Sequence, residues 1–152
     1  MSTSTTPSGY SGNFLDWGTA IDNKSTWTTL SGGESGEWKY LFDHHVNIWG
    51  NCNSVKGRFI APDNFVGGTS ALSAIVSDWK TAQDVGIVFL PAAGGRGGSD
   101  VNLVGDSGLY WSSTAYDGTR AYRVNFYSNS VYPDNLGTRD IGYSVRLITE
   151  SY

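Results

Sequence analysis

Gly108 to Leu147 reads GLYWSSTAYDGTRAYRVNFYSNSVYPDNLGTRDIGYSVRL, and this stretch decides the fold. Trp111, Val124, Phe126, Val131, Val145 and Leu147 recur in it at strand spacing, while Tyr, Arg, Asp, Asn, Ser and Thr fill the positions between them in no fixed order. A strand sends successive side chains to opposite faces, so the pattern describes a regular framework carrying irregular decoration. It predicts three or four strands: Tyr110 to Thr114, Ala121 to Ser128, Val131 with its neighbours, and Tyr143 to Ile148. Asp117-Gly118 between the first two is a hairpin signal. Tyr supplies rigid contact area and Ser, Asn and Gly supply adaptable hydrogen bonds, which is the composition of a presented binding surface.

Upstream of this stretch the periodicity changes. Glu34, Glu37, Trp38, Leu41, Phe42 and His45 follow i, i+3, i+4, i+7 spacing and predict a helix over about 34 to 45, with Trp38, Leu41 and Phe42 facing inward. Val55 to Pro62 alternates polar and apolar residues up to a terminating proline and predicts a strand. Thr69 or Ser70 can cap a second helix whose apolar stripe is Leu72, Ile75, Val76 and Trp79, running to about Asp84, with Gly86 as its stop. The apolar run Val85 to Leu90 suits a central strand covered on both faces. Gly94-Gly95-Arg96-Gly97-Gly98 reads as a loop, a tight reversal that lets backbones approach closely, and Val101 to Val104 as a short strand. Phe14 to Gly18 forms an edge strand or an anchoring loop, and Trp27 to Leu30 precedes Ser31-Gly32-Gly33. Helices early and strands late make an α+β arrangement.

The chain has 152 residues with a formal net charge of -4 and a pI near 4.9. One domain over 13–152 is expected, behind a flexible leader or linker end over 1–12, where MSTSTTPSGYSG is nearly all Ser, Thr, Gly and Pro. An acidic balance argues against nucleic acid as a partner, because phosphate binding calls for a clustered basic face. Cys52 is the single cysteine, so the chain supplies no internal disulfide and no Cys-rich zinc site. It has no basic partner near it in sequence and reads as a packing residue. No window approaches the roughly 18 apolar residues of a membrane span, and the first residues lack the pattern of a signal peptide. A monomer is expected for the isolated domain.

Several motifs could carry chemistry. Gly105-Asp106-Ser107-Gly108 matches the tetrapeptide around a serine-protease nucleophile, but the only histidines, His44 and His45, are adjacent and outside any protease motif, so a turn is the reading. His44 and His45 point in different directions on a helix, and no second ligand pair is spaced for zinc. The glycine loop at 94–98 is not followed by Lys-Ser or Lys-Thr and opens no helix, so it is not a phosphate cradle. No catalytic residue, metal or cofactor is expected.

Glu37-Trp38-Lys39-Tyr40-Leu41, Val88-Phe89-Leu90-Pro91-Ala92-Ala93-Gly94, and Gly108-Leu109-Tyr110-Trp111-Ser112-Ser113-Thr114 through Gly142-Tyr143-Ser144-Val145-Arg146-Leu147 together resemble the variable proteins of diversity-generating retroelements. These have a C-type lectin-like fold related to that of formylglycine-generating enzymes, and the resemblance covers Trp27 to Ile148. It implies two helices with a mostly antiparallel sheet of short strands, displayed on a cell surface or phage particle. It also implies a non-enzymatic binder of a protein or surface receptor, with a hypervariable surface rewritten by adenine-directed mutagenesis. Asparagine-like codons mutated in this way never yield Lys, Glu, Gln, Met or Trp. None of the five occurs between Ala115 and Tyr143, although all occur elsewhere. From composition this would arise by chance in roughly one case in twenty.

Alternation assigns Tyr122, Val124 and Phe126 to the scaffold and Arg123, Asn125 and Tyr127 to the ligand. The same logic and the match to the family's variable places add Leu109, Tyr116, Asp117, Thr119, Arg120, Ser128, Ser130, Tyr132, Asp134, Asn135, Leu136, Thr138, Asp140 and Ile141. Tyr110, Trp111, Val145 and Leu147 are expected to be framework. The chain departs from the related families at two points. A lone Cys52 cannot supply the cysteine pair of the formylglycine-generating enzymes. Tyr132-Pro133-Asp134-Asn135 and Val124-Asn125-Phe126 lack acidic residues of the calcium-dependent sugar site in animal C-type lectins. The alternative is a structural or adhesin-like surface domain of the same fold with no hypervariable site.

Overall fold

The computed structural model describes residues 37–146. The leader, Phe14 to Gly18, Trp27 to Leu30, the first turn of the first expected helix, Leu147 and Ile148 lie outside the described residues.

Helix α1 (Glu37–His44) places Trp38 and Phe42, one turn apart, on a single buried face. On its outer side Lys39 and Asp43 pair at 2.8 Å. Strands β1 (Asn47–Cys52), β2 (Val55–Ile60) and β3 (Val88–Pro91) form an antiparallel sheet in that order. The expected strand at 55–62 is present; β1 was not expected. It pairs with β2 through a two-residue turn in which Asn53 and Ser54 take φ of 47° and 70°, the left-handed geometry of a tight hairpin. The strand expected at 85–90 begins later, at Val88, because Val85 caps the preceding helix, and among the described residues it pairs only with β2. Its two faces are covered as expected, Leu90 in one core and Phe89 against the other.

The single helix expected from Thr69 or Ser70 to Asp84 is two, α2 (Thr69–Ile75) and α3 (Trp79–Asp84). Asp78 breaks it. In extended geometry its carboxylate accepts from Lys80 N at 3.0 Å and Thr81 Oγ1 at 2.8 Å, so it caps a new helix rather than continuing the old one. Neither Thr69 nor Ser70 is the cap of α2; the residue before the helix is Gly68, without a side-chain cap.

The glycine stretch is not a loop but half of a hairpin, β4 (Gly95–Gly97) against β5 (Asp100–Asn102). The close approach expected of it is real. Gly94 has φ of +67°, and a Cβ there would fall 2.0 Å from the Asn102 carbonyl oxygen. A third sheet has the order β6 (Gly108–Ala115), β7 (Arg120–Phe126), β8 (Val131–Thr138), antiparallel throughout. The last expected strand does not form among the described residues. Its place is taken by two single bridges, Arg96 to Gly142 and Tyr110 to Ser144. Pairing with β6 ends at Ser144, so Val145 is carried off the sheet and is 67% exposed rather than part of the framework.

Phe59 and Ile60, successive on β2, enter two different cores. Ile60 joins Trp38, Phe42, Leu90, Tyr110, Val124 and Phe126, which binds α1 and both three-stranded sheets together. Phe59 joins Leu72, Ala82 and Ile87 beneath α2 and α3. The first sheet is therefore covered on both faces, and Cys52 packs at the edge of the second core. The architecture is α+β, with three short helices among the described residues where two were expected, and antiparallel sheets of short strands.

Candidate functional site

In the third sheet the register puts Leu109 opposite Asn125, Trp111 opposite Arg123, Asn125 opposite Tyr132, and Arg123 opposite Asn135. Directly opposed residues share a face, so these six side chains line the side away from the core that Tyr110, Val124 and Phe126 fill. Trp111, expected to be framework, belongs to this outer face. Strict alternation with Tyr110, which fills the core, is the signal that separates the two.

Tyr143 closes over the middle of the face. Its ring lies 4.6 Å from that of Trp111, and the Arg123 guanidinium sits 4.6 Å above its centre. Gly137 makes room for this stack, since a Cβ there would come within 2.6 Å of the Tyr143 ring and 2.9 Å of Arg123 Cδ. Arg123 Nε donates to the Leu136 carbonyl oxygen at 3.1 Å.

Two residues expected to meet a ligand are buried: Leu109 is 4% exposed and Asn125 5%. The β4–β5 hairpin and the chain at 142–144 cover their end of the face. Gly95 approaches both Leu109 and Tyr143, and Ser144 N donates to the Leu109 carbonyl oxygen at 2.9 Å. Asn125 accepts from Ser107 Oγ at 2.9 Å and donates to Tyr127 Oη at 3.1 Å, so its amide is engaged within the fold. Ser107, of the protease-like tetrapeptide, is fully buried in this network, in a turn closed onto Leu103. Tyr127 and Tyr132 meet edge to face at 6.5 Å beside it.

A second group forms at the β6–β7 hairpin. The Asp117 carboxylate accepts from Thr119 N, Thr119 Oγ1, Arg120 N and the Arg120 guanidinium, all within 2.9 Å. The Thr119 backbone N–H first, then the Arg120 side chain, hold its pKa well below the usual carboxylate range. Arg120 lies 4.7 Å over the Tyr116 ring, which meets Tyr122 at 5.6 Å. Thr138 stands opposite Arg120, Leu136 opposite Tyr122, and Arg139 N donates to the Thr119 carbonyl oxygen. The remaining expected residues sit on the rim: Ser128 and Ser130 in the β7–β8 turn, Asp134 on β8, and Asp140 and Ile141 beyond it.

Arg58 was missed altogether. On β2 it shares the face of Ile60 and is 7% exposed. Nη1 donates to Asn47 Oδ1 at 2.6 Å and Nη2 to the Tyr127 carbonyl oxygen at 2.8 Å, while burial pushes its pKa down. An open groove of about 640 Å³ between β1 and α2 is lined by Ile48, Trp49, Thr69, Ser70, Ser73 and Ala74, none of them titratable. Among the described residues no three His, Cys, Asp or Glu come together as a metal site, and no helix is long and apolar enough to cross a membrane.

No curated protein and no solved structure matches the chain. One family does, over residues 38–148, a span running from α1 through the whole outer face to the end of the described fold. The chain belongs to the DUF8237 family, described as a domain of unknown function.

Proposed function

We propose that this chain is a non-enzymatic binding protein with a C-type lectin-like fold, displaying a surface diversified by a retroelement to a protein or surface-receptor partner. The observation that carries the reading is a coincidence of composition and position. The segment free of Lys, Glu, Gln, Met and Trp, Ala115 to Tyr143, holds β7, β8 and the β6–β7 hairpin end, and supplies Arg123, Asn125, Tyr132, Asn135 and Tyr143 of the outer face beside Leu109 and Trp111 of β6. The framework members of the sheet, Tyr110, Val124 and Phe126, fill the core, so the decorated members can change without changing what holds the sheet.

Trp111, Tyr127, Tyr132 and Tyr143 offer anchors, with Asn135 and Ser130 as adaptable polar neighbours, within a patch on the scale of about 600 to 1,000 Å² per partner for specific complexes. The C-type lectin-like arrangement is supported by early helices packed on antiparallel sheets and by a late sheet with one face in the core and the other carrying the decorated residues.

Sequencing the DNA around the gene tests the proposal. A near-copy of the segment encoding 108–147, with adenines at the substituted positions and a reverse transcriptase beside it, is the expected result. A locus with neither overturns the retroelement reading.

A further inference from the structure

Arg123 differs from the other arginines of the third sheet and its flanks. Arg139 and Arg146 are exposed to water, and Arg120 is paired with Asp117. Arg123 is half-buried, spends Nε on the Leu136 carbonyl oxygen and one guanidinium face on Tyr143, and forms no ion pair among the described residues. Its two Nη groups, the end of the fork, make no hydrogen bond there. The Asn135 side-chain amide directly across the strand pair makes none either, and neither does the Trp111 indole N–H beside it.

A partly desolvated guanidinium without a counter-charge carries a free-energy cost that an anion of the right shape offsets. The shape is set by the fork, whose parallel N–H groups match the two oxygens of a carboxylate. The Tyr143 ring under the guanidinium, backed by Trp111, lowers the local dielectric and strengthens such a pair. The two rings also offer apolar area to the residues flanking the acid, which a small free anion would leave unused.

We propose that the outer face binds an aspartate or glutamate side chain of a protein partner, held end-on by Arg123 with Asn135 alongside and its neighbours packed on Trp111, Tyr132 and Tyr143. This rests on the reading of that face as the binding surface. It adds the chemistry of what is bound there.

Two blocked peptides, Ala-Phe-Glu-Phe-Ala and its Gln counterpart, titrated into the isotopically labelled protein test it by NMR. The expected result is saturable shifts at Arg123 Hε, the Asn135 amide and the Tyr143 ring with the Glu peptide, at a dissociation constant of about 1 mM or below. The Gln peptide should be at least about tenfold weaker. Arg123→Gln should abolish the difference between the two peptides, and Arg123→Lys, which keeps the charge but not the fork, should reduce it; if the Gln variant does not fold, the Lys variant and the peptide pair decide. Equal binding of the two peptides, no saturable shift, or shifts confined to exposed Arg96, Arg139 or Arg146 overturns the proposal. Binding of N-acetylneuraminic acid at these resonances without binding of the Glu peptide overturns the protein source of the carboxylate. The diversified-surface reading is decided by the flanking DNA and this one by the peptides, so either can fail alone.

Discussion

Arg58 on the first sheet donates from Nη2 to the main-chain carbonyl oxygen of Tyr127 at the end of the third, at 2.8 Å, and reaches the Ser128 carbonyl oxygen at 3.5 Å. The bond holds the β7–β8 turn through its backbone, so the side chains at 127 and 128 are free to differ while the turn stays in place. Asn47 Oδ1 holds the guanidinium from the other side.

Arg58→Ala should therefore destabilise the protein by about 2–4 kcal/mol, since the charge-assisted hydrogen bonds of a buried guanidinium are lost and a cavity is left in its place. Ser128→Ala, which leaves the backbone acceptor in place, should change stability by no more than about 0.5 kcal/mol. Urea unfolding of both variants measures the contrast. Similar small losses in the two would mean that the clamp does not hold the turn.

Opposite faces of one strand pair should differ as sharply. Phe126 is fully buried against Phe42, Trp49 and Tyr110, and Phe126→Ala should cost about 3–5 kcal/mol through lost burial and the cavity left behind. Tyr132, 48% exposed on the outer face, should lose less than about 1 kcal/mol as Tyr132→Ala. Thermal and chemical unfolding of the pair would expose a mistaken face assignment, because the order would then reverse.

Tyr110 donates Oη to the Pro91 carbonyl oxygen at 2.9 Å, and burial pushes its pKa up to about 12 from 10.0. The folded value lies above the unfolded one, so this stabilisation is complete below about pH 10 and is lost as pH rises towards 12. Tyr110→Phe should cost about 1 kcal/mol at neutral pH and flatten that alkaline limb. An unchanged limb in the variant would assign the loss to another group.

Asp117 provides the acid counterpart. Its folded pKa is depressed, so its contribution is present above the ordinary carboxylate range and is lost as pH falls through the folded value. Because the Thr119 N–H is the first cause and Arg120 the second, Arg120→Ala should raise the Asp117 pKa only part of the way to the ordinary value. Carboxyl carbon NMR titration reads this directly. A full return to the ordinary value would make the ion pair, not the turn, the main cause.

The strands were legible where one face is buried and the other wet. In β7, alternation separated Val124 and Phe126 from Arg123 and Asn125 without error. Alternation assigns a face, however, and not its exposure. Asn125 lies on the decorated face and is still buried, because Ser107, in the turn that precedes β6, and Tyr127 enclose its side chain. Arg58 was illegible for the related reason that its burial comes from an element 69 residues away. The α2–α3 break turned on Asp78 choosing its own backbone over the helix, a local competition that an apolar stripe does not register. Strand β1 lacked the Asn-Gly or Asp-Gly signal, and its turn uses Asn53-Ser54 instead.

Deep sequencing of the codons for residues 37–147 across cells of one propagated strain reads the diversification of the outer face itself. The expected result is substitutions concentrated at codon positions of Tyr116, Arg123, Tyr127, Tyr132, Asn135 and their decorated neighbours that align with adenines of the near-copy, with Tyr110, Val124 and Phe126 unchanged. Substitution rates in that segment no higher than in α2 and α3 would contradict it.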